Sequence, residues 1–230
     1  MSDLSTNAVS LISDESFSTF TAEWFEAVNN DKPLTPFFLG KNGSRINNVS
    51  FTRNDIVALL STVGIQTVKV KFGIRDGAFT LILFAGDKSG KRISAYYTGK
   101  PQEEVLASNA SEPVPSTLAL EWIENWRKFD GDLNNSLFKT ACSAEYLLGY
   151  TYTMRDLMDS LFQPSNKVGN YLLFDFVLHK AYFPGAEKED QVTETFGMVL
   201  IQSDTEQTTL TDPDPNDVFY DLSAPCPPTC

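Results

Sequence analysis

One stretch of this chain occurs twice, and that duplication constrains the fold more than any other feature. Asn48-Val49-Ser50-Phe51-Thr52-Arg53-Asn54-Asp55-Ile56-Val57 is echoed by Gly149-Tyr150-Thr151-Tyr152-Thr153-Met154-Arg155-Asp156-Leu157-Met158. Upstream, Glu23-Trp24-Phe25-Glu26 is echoed by Glu121-Trp122-Ile123-Glu124. Downstream, Phe79-Thr80-Leu81-Ile82-Leu83-Phe84 is echoed by Phe196-Gly197-Met198-Val199-Leu200-Ile201. The order is the same in both halves, and the spacing widens where the second copy carries an insertion. Two such units predict a pseudo-twofold relation. They predict no chemistry.

The local patterns give each unit the same plan. In residues 17–28 the apolar side chains Phe17, Phe20, Trp24, Phe25 and Val28 recur at helical spacing. Residues 31–43 carry Pro33, Pro36, Gly40 and Gly43 and read as irregular. Thr52 is placed to cap a short helix, with Asp55 three residues on and Ile56, Leu59 and Leu60 along one face. A half-buried strand follows in residues 65–74, where Val68, Val70 and Phe72 alternate with Lys69, Lys71 and Gly73. Asp76-Gly77 is a hairpin signal. Residues 79–85 form an apolar strand, and residues 91–98 a third strand after the turn at Gly86 to Gly90.

In the second half, Trp122, Trp126 and Phe129 mark a helix over 118–129, and Thr153 caps a short one over 154–162. Strands are expected at 171–183 and 196–202, around an acidic insertion at 184–191; a third strand begins at 208–210. The fold class is therefore α+β, two degenerate tandem repeats of two helices and an antiparallel three-stranded meander. The divisions are a flexible N-terminus (1–14), unit one (15–99), a proline-bearing linker (100–116), unit two (117–211) and a tail (212–230). The units are expected to join edge to edge in one six-stranded sheet, which hides one open strand apiece, with face-to-face packing as the alternative.

Composition narrows the function. Hydrophobic residues make up 42% of the 230 residues and aromatics 12%, enough for a real core. The net charge of −12 repels phosphate backbones and anionic lipid, so neither nucleic acid nor membrane is an expected partner. No apolar run reaches the ~18 residues of a membrane span. The sequence reads as cytoplasmic, because the N-terminus shows no basic segment followed by an apolar one.

Residues able to carry chemistry are few. Cys226 and Cys230 are close enough to ligate a soft metal or to form a small disulfide loop. A complete zinc site would need Cys142 and the single histidine, His179, as well. Zinc is the metal these ligands suit, the acidic run from Asp212 to Asp217 reads as a solvated loop because its prolines and missing distal Glu depart from a calcium loop, and no cofactor is expected. His179 would also have to carry any nucleophilic triad. Gly40-Lys41-Asn42-Gly43-Ser44 and Gly86-Asp87-Lys88-Ser89-Gly90 lack the features of a phosphate loop and read as turns. Asp55 and Asp156 occupy matching places, either as a paired catalytic set or as helix-start carboxylates facing the dipole.

The run Val68-Lys69-Val70-Lys71-Phe72-Gly73, with Asp76-Gly77, Thr80-Leu81-Ile82-Leu83, Asp87, Gly90 and the tail Cys226-Pro227-Pro228-Thr229-Cys230, resembles a group of small uncharacterised bacterial α+β proteins. These join a short helix to a β-meander and end in Cys-Pro-Pro-x-Cys. The resemblance covers one unit and the tail. It implies a bacterial cytoplasmic setting and no catalytic residue.

The expectation is a non-enzymatic interaction or self-assembly protein, with a protein partner or a second copy of itself. The alternative is a metal- or ligand-responsive binding protein that uses the terminal cysteines or the junction between the units.

Overall fold

The computed structural model describes residues 10–30, 32–103, 116–139, 145–161, 169–182, 192–203 and 224–226. Outside these lie most of the expected linker, the acidic insertion, the strand at 208–210, Cys142 and Cys230.

The protein is a mixed α+β fold with two antiparallel sheets. In chain order the elements are β1 (Leu11–Ile12), α1 (Asp14–Asn29), a 3-10 turn (Thr35–Phe38), β2 (Asn48–Thr52), α2 (Arg53–Leu60), β3 (Thr67–Arg75), β4 (Ala78–Gly86), β5 (Tyr96–Thr98) and β6 (Lys100–Gln102). Then come α3 (Ser116–Lys128), a second 3-10 turn (Asn135–Phe138), β7 (Gly149–Thr153), α4 (Met154–Leu161), β8 (Tyr171–Tyr182), β9 (Val192–Ser203) and β10 (Ala224–Cys226). The sequence helix, 3-10 turn, strand, helix, hairpin thus occurs in each half.

Local chemistry sets the ends of these elements. Ser13 caps α1 by accepting from the Ser16 amide at 3.1 Å. At α2 the Thr52 hydroxyl accepts the Asp55 N–H while the Asp55 carboxylate accepts the Thr52 N–H, a closed capping box. The β3–β4 hairpin turns at Asp76 and Gly77, both at positive φ (52° and 78°), as the Asp-Gly pair requires.

Two expectations are corrected. The third strand of the first meander is short. Ser94 interrupts it, its hydroxyl taking the Ala85 N–H at 2.8 Å in place of a backbone carbonyl. Second, the halves do not join as self-contained meanders in one sheet. The six-stranded sheet has the order β1-β5-β4-β3-β7-β10, and the four-stranded sheet β6-β2-β8-β9. Each hairpin takes its neighbour from the other half: β7 pairs with β3 from Thr67↔Thr153, and β2 pairs with β8 from Thr52↔Tyr171. The driving force is burial. In β2, residues Asn48 to Phe51 are all buried, so its backbone groups need partners on both sides, and β6 and β8 supply them.

Backbone contacts between the halves come in matched pairs. Arg53 N–H donates to Asn170 and Met154 N–H to Gln66, at 2.8 and 2.9 Å. Phe72 N–H donates to Leu148 and Phe176 N–H to Asn47, at 3.1 and 2.9 Å. Within each half a further matched bond joins the approach to the crossing strand to the 3-10 turn: Ile46 N–H donates to Phe38 and Leu147 N–H to Phe138, at 2.8 and 2.6 Å.

Between the sheets lies an aromatic core. Trp24, Phe38, Phe72 and Phe79 come from the first half, and Trp126, Phe138, Phe176 and Phe196 from the second, none more than 1% exposed. Phe38 and Phe138 stack across the middle at 5.6 Å. Phe79 meets Phe176 edge-on at 5.4 Å, and Phe72 meets Phe196 at 5.7 Å. Such pairs each add about 0.5–1.5 kcal/mol beyond their buried area. A second, smaller cluster covers the outer face of the six-stranded sheet, where Phe17 of α1 stacks on Tyr96 at 3.9 Å.

Candidate functional site

Of the residues singled out in the sequence, Cys226 and His179 fall in different sheets, and Cys142 and Cys230 lie outside the described residues. Cys226 lies in β10 at the edge of the six-stranded sheet, opposite Gly149. His179 lies in β8 of the other sheet, its ring 5.3 Å from that of Trp122, and burial lowers its pKa. Among the described residues no group of three or more His, Cys, Asp or Glu is arranged to hold a metal ion. Asp55 is buried in its capping box and accepts a further hydrogen bond from the Ser10 N–H at 3.1 Å. That is a structural employment. The two glycine-bearing loops are turns. Asn42 accepts the Ser44 N–H in one. In the other, Asp87 accepts from the Ser89 hydroxyl and N–H and from the Lys91 N–H, bonds that lower its pKa.

A pocket forms where the chain changes sheets. Thr98 ends β5 in the six-stranded sheet, Lys100 begins β6 in the four-stranded one, and Gly99 is the corner between them. A Cβ at Gly99 would lie 2.1 Å from Val49 Cγ1 and 2.7 Å from the Phe51 ring, so only glycine fits. Beside this corner is a pocket of about 890 Å³, within the size range of small-molecule sites. Its lining includes Thr80, Thr98 and Gln102, all buried. The Thr80 and Thr98 hydroxyls lie 3.4 Å apart, and Thr80 also donates to the Gly99 carbonyl at 3.2 Å. Gln102 donates to the Ser50 hydroxyl at 3.1 Å. Exposed Lys41, Arg75 and Lys100 also line it, against the acids Asp76 and Glu103. Asp76 sits 3.6 Å from Arg75.

From Gln102 a row of polar side chains runs across the four-stranded sheet. Gln102 is opposite Asn48, and Asn48 is opposite Asp175. Exposure is 6% at Gln102, 0% at Asn48 and 3% at Asp175. Burial raises the Asp175 pKa to about 7; the Arg127 charge and the adjacent Asn48 amide oppose that shift. Yet the amide atoms of Asn48, Oδ1 of Asp175 and Nε of Arg127 are enclosed without a well-formed hydrogen bond. Buried polar groups left in this state each cost about 1–3 kcal/mol. Across the matched contacts, the other half has Lys71 opposite Gly149 in this place. The acid–amide pair therefore belongs to one half alone.

Neither the pocket nor this row was among the sequence candidates. The signal for Asp175 was present: it is the one charge inside Leu172-Leu173-Phe174-Asp175-Phe176-Val177-Leu178. Comparison with known protein families, curated proteins and solved structures finds no match. Among the described residues no helix is long and apolar enough to cross a membrane.

Proposed function

We propose that this chain is a non-enzymatic binding protein made of two like units that exchange a strand. The repeated element order and the paired contacts between the halves support the duplication. The exchange of β2 and β7 makes the two units one folding body rather than two beads. A cytoplasmic setting, expected from the sequence, is part of the same reading.

The observation that carries a binding role is the corner pocket. It combines a size suited to small molecules, a polar floor of Thr80, Thr98 and Gln102, and three cationic side chains. The whole chain has 18 Lys and Arg against 30 Asp and Glu, whereas this lining has three cations against two acids, Asp76 and Glu103, so cations hold a slight excess here. Hydroxyls and an amide select polar groups, while the cations favour negative charge. The ligand class is a small hydroxylated anion. The test is saturation-transfer NMR and thermal shift with gluconate, glucose 6-phosphate and neutral glucose at millimolar concentration. Binding of the anions, lost in Thr98→Leu and weakened in Lys41→Glu, supports the pocket. If none of the three binds, the reading fails.

A second reading is self-association or capture of a partner's extended segment. It is favoured by β9, a strand of 12 residues that, among the described residues, lies at the edge of its sheet. The other edge strands, β1, β6 and β10, have two or three residues each. A long edge is the usual template for strand addition. A concentration-dependent rise in mass, suppressed by the edge charge in Thr195→Lys, would support assembly; a monomer at every concentration, with no captured segment, would oppose it.

A further inference from the structure

Asp175 is the buried charge of the four-stranded sheet, and its surroundings contain a competitor for its cation. The guanidinium of Arg127, on α3, has a side chain 18% exposed and lies 3.9 Å from the Glu124 carboxylate on the same helix. It also acts electrostatically on Asp175. No ion pair within 4.0 Å joins Arg127 to Asp175, and Arg127 Nε is enclosed without a partner. One cation thus stands between two acids, one half-exposed on the helix and one sealed beneath it. Among the described residues the remaining neighbours offer Asp175 no charge. From β2 it faces Asn48 and from β9 Val199, directly opposite in register. Lys128 of α3 is taken by Glu124 at 2.8 Å. The buried Asp55 of α2 is held in its own capping box. His179, further along β8, packs on Trp122.

We infer that Glu124, Arg127 and Asp175 form a proton-controlled latch between α3 and the seam where β2 joins β8. With Asp175 protonated, its carboxyl needs no counter-ion and Arg127 rests on Glu124. When the proton leaves, a buried anion is created beside an enclosed, unpartnered Nε–H. Arg127 then turns from Glu124 to Asp175. The guanidinium fork lies 3.9 Å from one acid and acts electrostatically on the other, so the change asks for side-chain rotation and no movement of the chain. The step moves one proton to solvent and exchanges one ion pair for another; no covalent bond changes. The latch ties solvent proton concentration to the grip of a second-half helix on the seam with a first-half strand. Its direction follows from linkage. The folded chain holds the Asp175 proton more tightly than the unfolded chain does, so this group's contribution is fully present below the ordinary carboxylate range. It is lost as pH rises through neutrality.

The experiment is a pH titration of the full chain by NMR, following the Asp175 carboxyl carbon and the Arg127 Nε–H resonance. Both are expected to titrate together, with a midpoint well above the ~4 of an ordinary aspartate. In Asp175→Asn the Arg127 signal should lose its near-neutral step. In Glu124→Gln, Arg127 is released to Asp175, and the Asp175 midpoint should fall by roughly half a unit or more. An Asp175 midpoint at or below ~4 in the unaltered chain overturns the latch, and that result needs no variant to fold. So does a near-neutral Arg127 step that survives Asp175→Asn.

Discussion

Trp24 and Trp126 make the same hydrogen bond in opposite directions across the molecule. The Trp24 indole donates to the Leu147 carbonyl at 3.0 Å, two residues before β7, and the Trp126 indole donates to the Ile46 carbonyl at 3.2 Å, two residues before β2. Each tryptophan thus anchors the entry to the strand that crosses into the other half's sheet. Trp24→Phe and Trp126→Phe each remove the indole donor and leave a buried carbonyl unsatisfied, with a cavity beside it. The expected loss is about 2–4 kcal/mol apiece in urea unfolding. Phe38 touches both rings, at 6.4 and 5.3 Å. A double-mutant cycle should therefore show coupling of at least about 0.5 kcal/mol.

Gly99→Ala should be among the most damaging small changes. The new methyl meets Val49 Cγ1 at the sheet-switching corner, where β6 and β2 are held in register. Overpacking of this kind costs about 1–3 kcal/mol or more. Gly43→Ala is the control: its φ of 82° is strained for alanine, but a Cβ there meets nothing within 4 Å. The expected order, read from denaturation midpoints, is Gly99→Ala well below Gly43→Ala.

Asp55→Ala should destabilise the chain, and it should weaken ligand binding as well, because Ser10, which Asp55 holds, lines the pocket and accepts the Thr98 N–H. Asp55 accepts from the Thr52 N–H, the Thr52 hydroxyl at 2.7 Å and the Ser10 N–H. Losing a buried acceptor with three donors should cost about 2–3 kcal/mol, the upper range of capping and charged hydrogen bonds. Hydrogen exchange should show β1 opening first, since Ser10 lies at its start. A catalytic aspartate would instead leave stability near the parent value.

His179 gives a pH effect of opposite sign to that of Asp175. Burial lowers its pKa below the ordinary 6.5, so the folded chain prefers the neutral ring. Its contribution is present above about 6.5 and is lost as pH falls through the lowered folded value. His179→Gln should flatten the loss of thermal stability on the acid side of 6.5 and leave the alkaline side unchanged. An identical acid slope in the variant would assign that loss elsewhere.

The sequence made the local features legible and left the non-local ones hidden. The capping box at Thr52 and Asp55, the Asp-Gly hairpin and the alternation of β3 are written in adjacent residues, and all three appear as read. The strand exchange is not, because β2 and β7 are five residues each with polar side chains or glycine at every second position, and no local pattern marks them as strands or shows whose hairpin they join. For the same reason the repeated Glu-Trp pair aligned Trp24 with Trp122, one helical turn from Trp126, whose contacts match those of Trp24. The pocket is a product of the Gly99 corner, and the corner exists only once β5 and β6 lie in different sheets. Asp175 is marked by the apolar run around it, but Arg127, the cation that acts on it, sits on a helix well upstream.

The pocket, the latch and the reciprocal tryptophans all depend on β2 and β7 being exchanged between the hairpins. Native-state hydrogen exchange on the full chain tests that directly. The amides of β2 and β7 should be protected as strongly as those of β3 and β8, and all four strands should open in one global event. If β2 or β7 opens at distinctly lower free energy while its hairpin neighbour stays protected, the exchanged strands are appendages and the two-unit body does not exist.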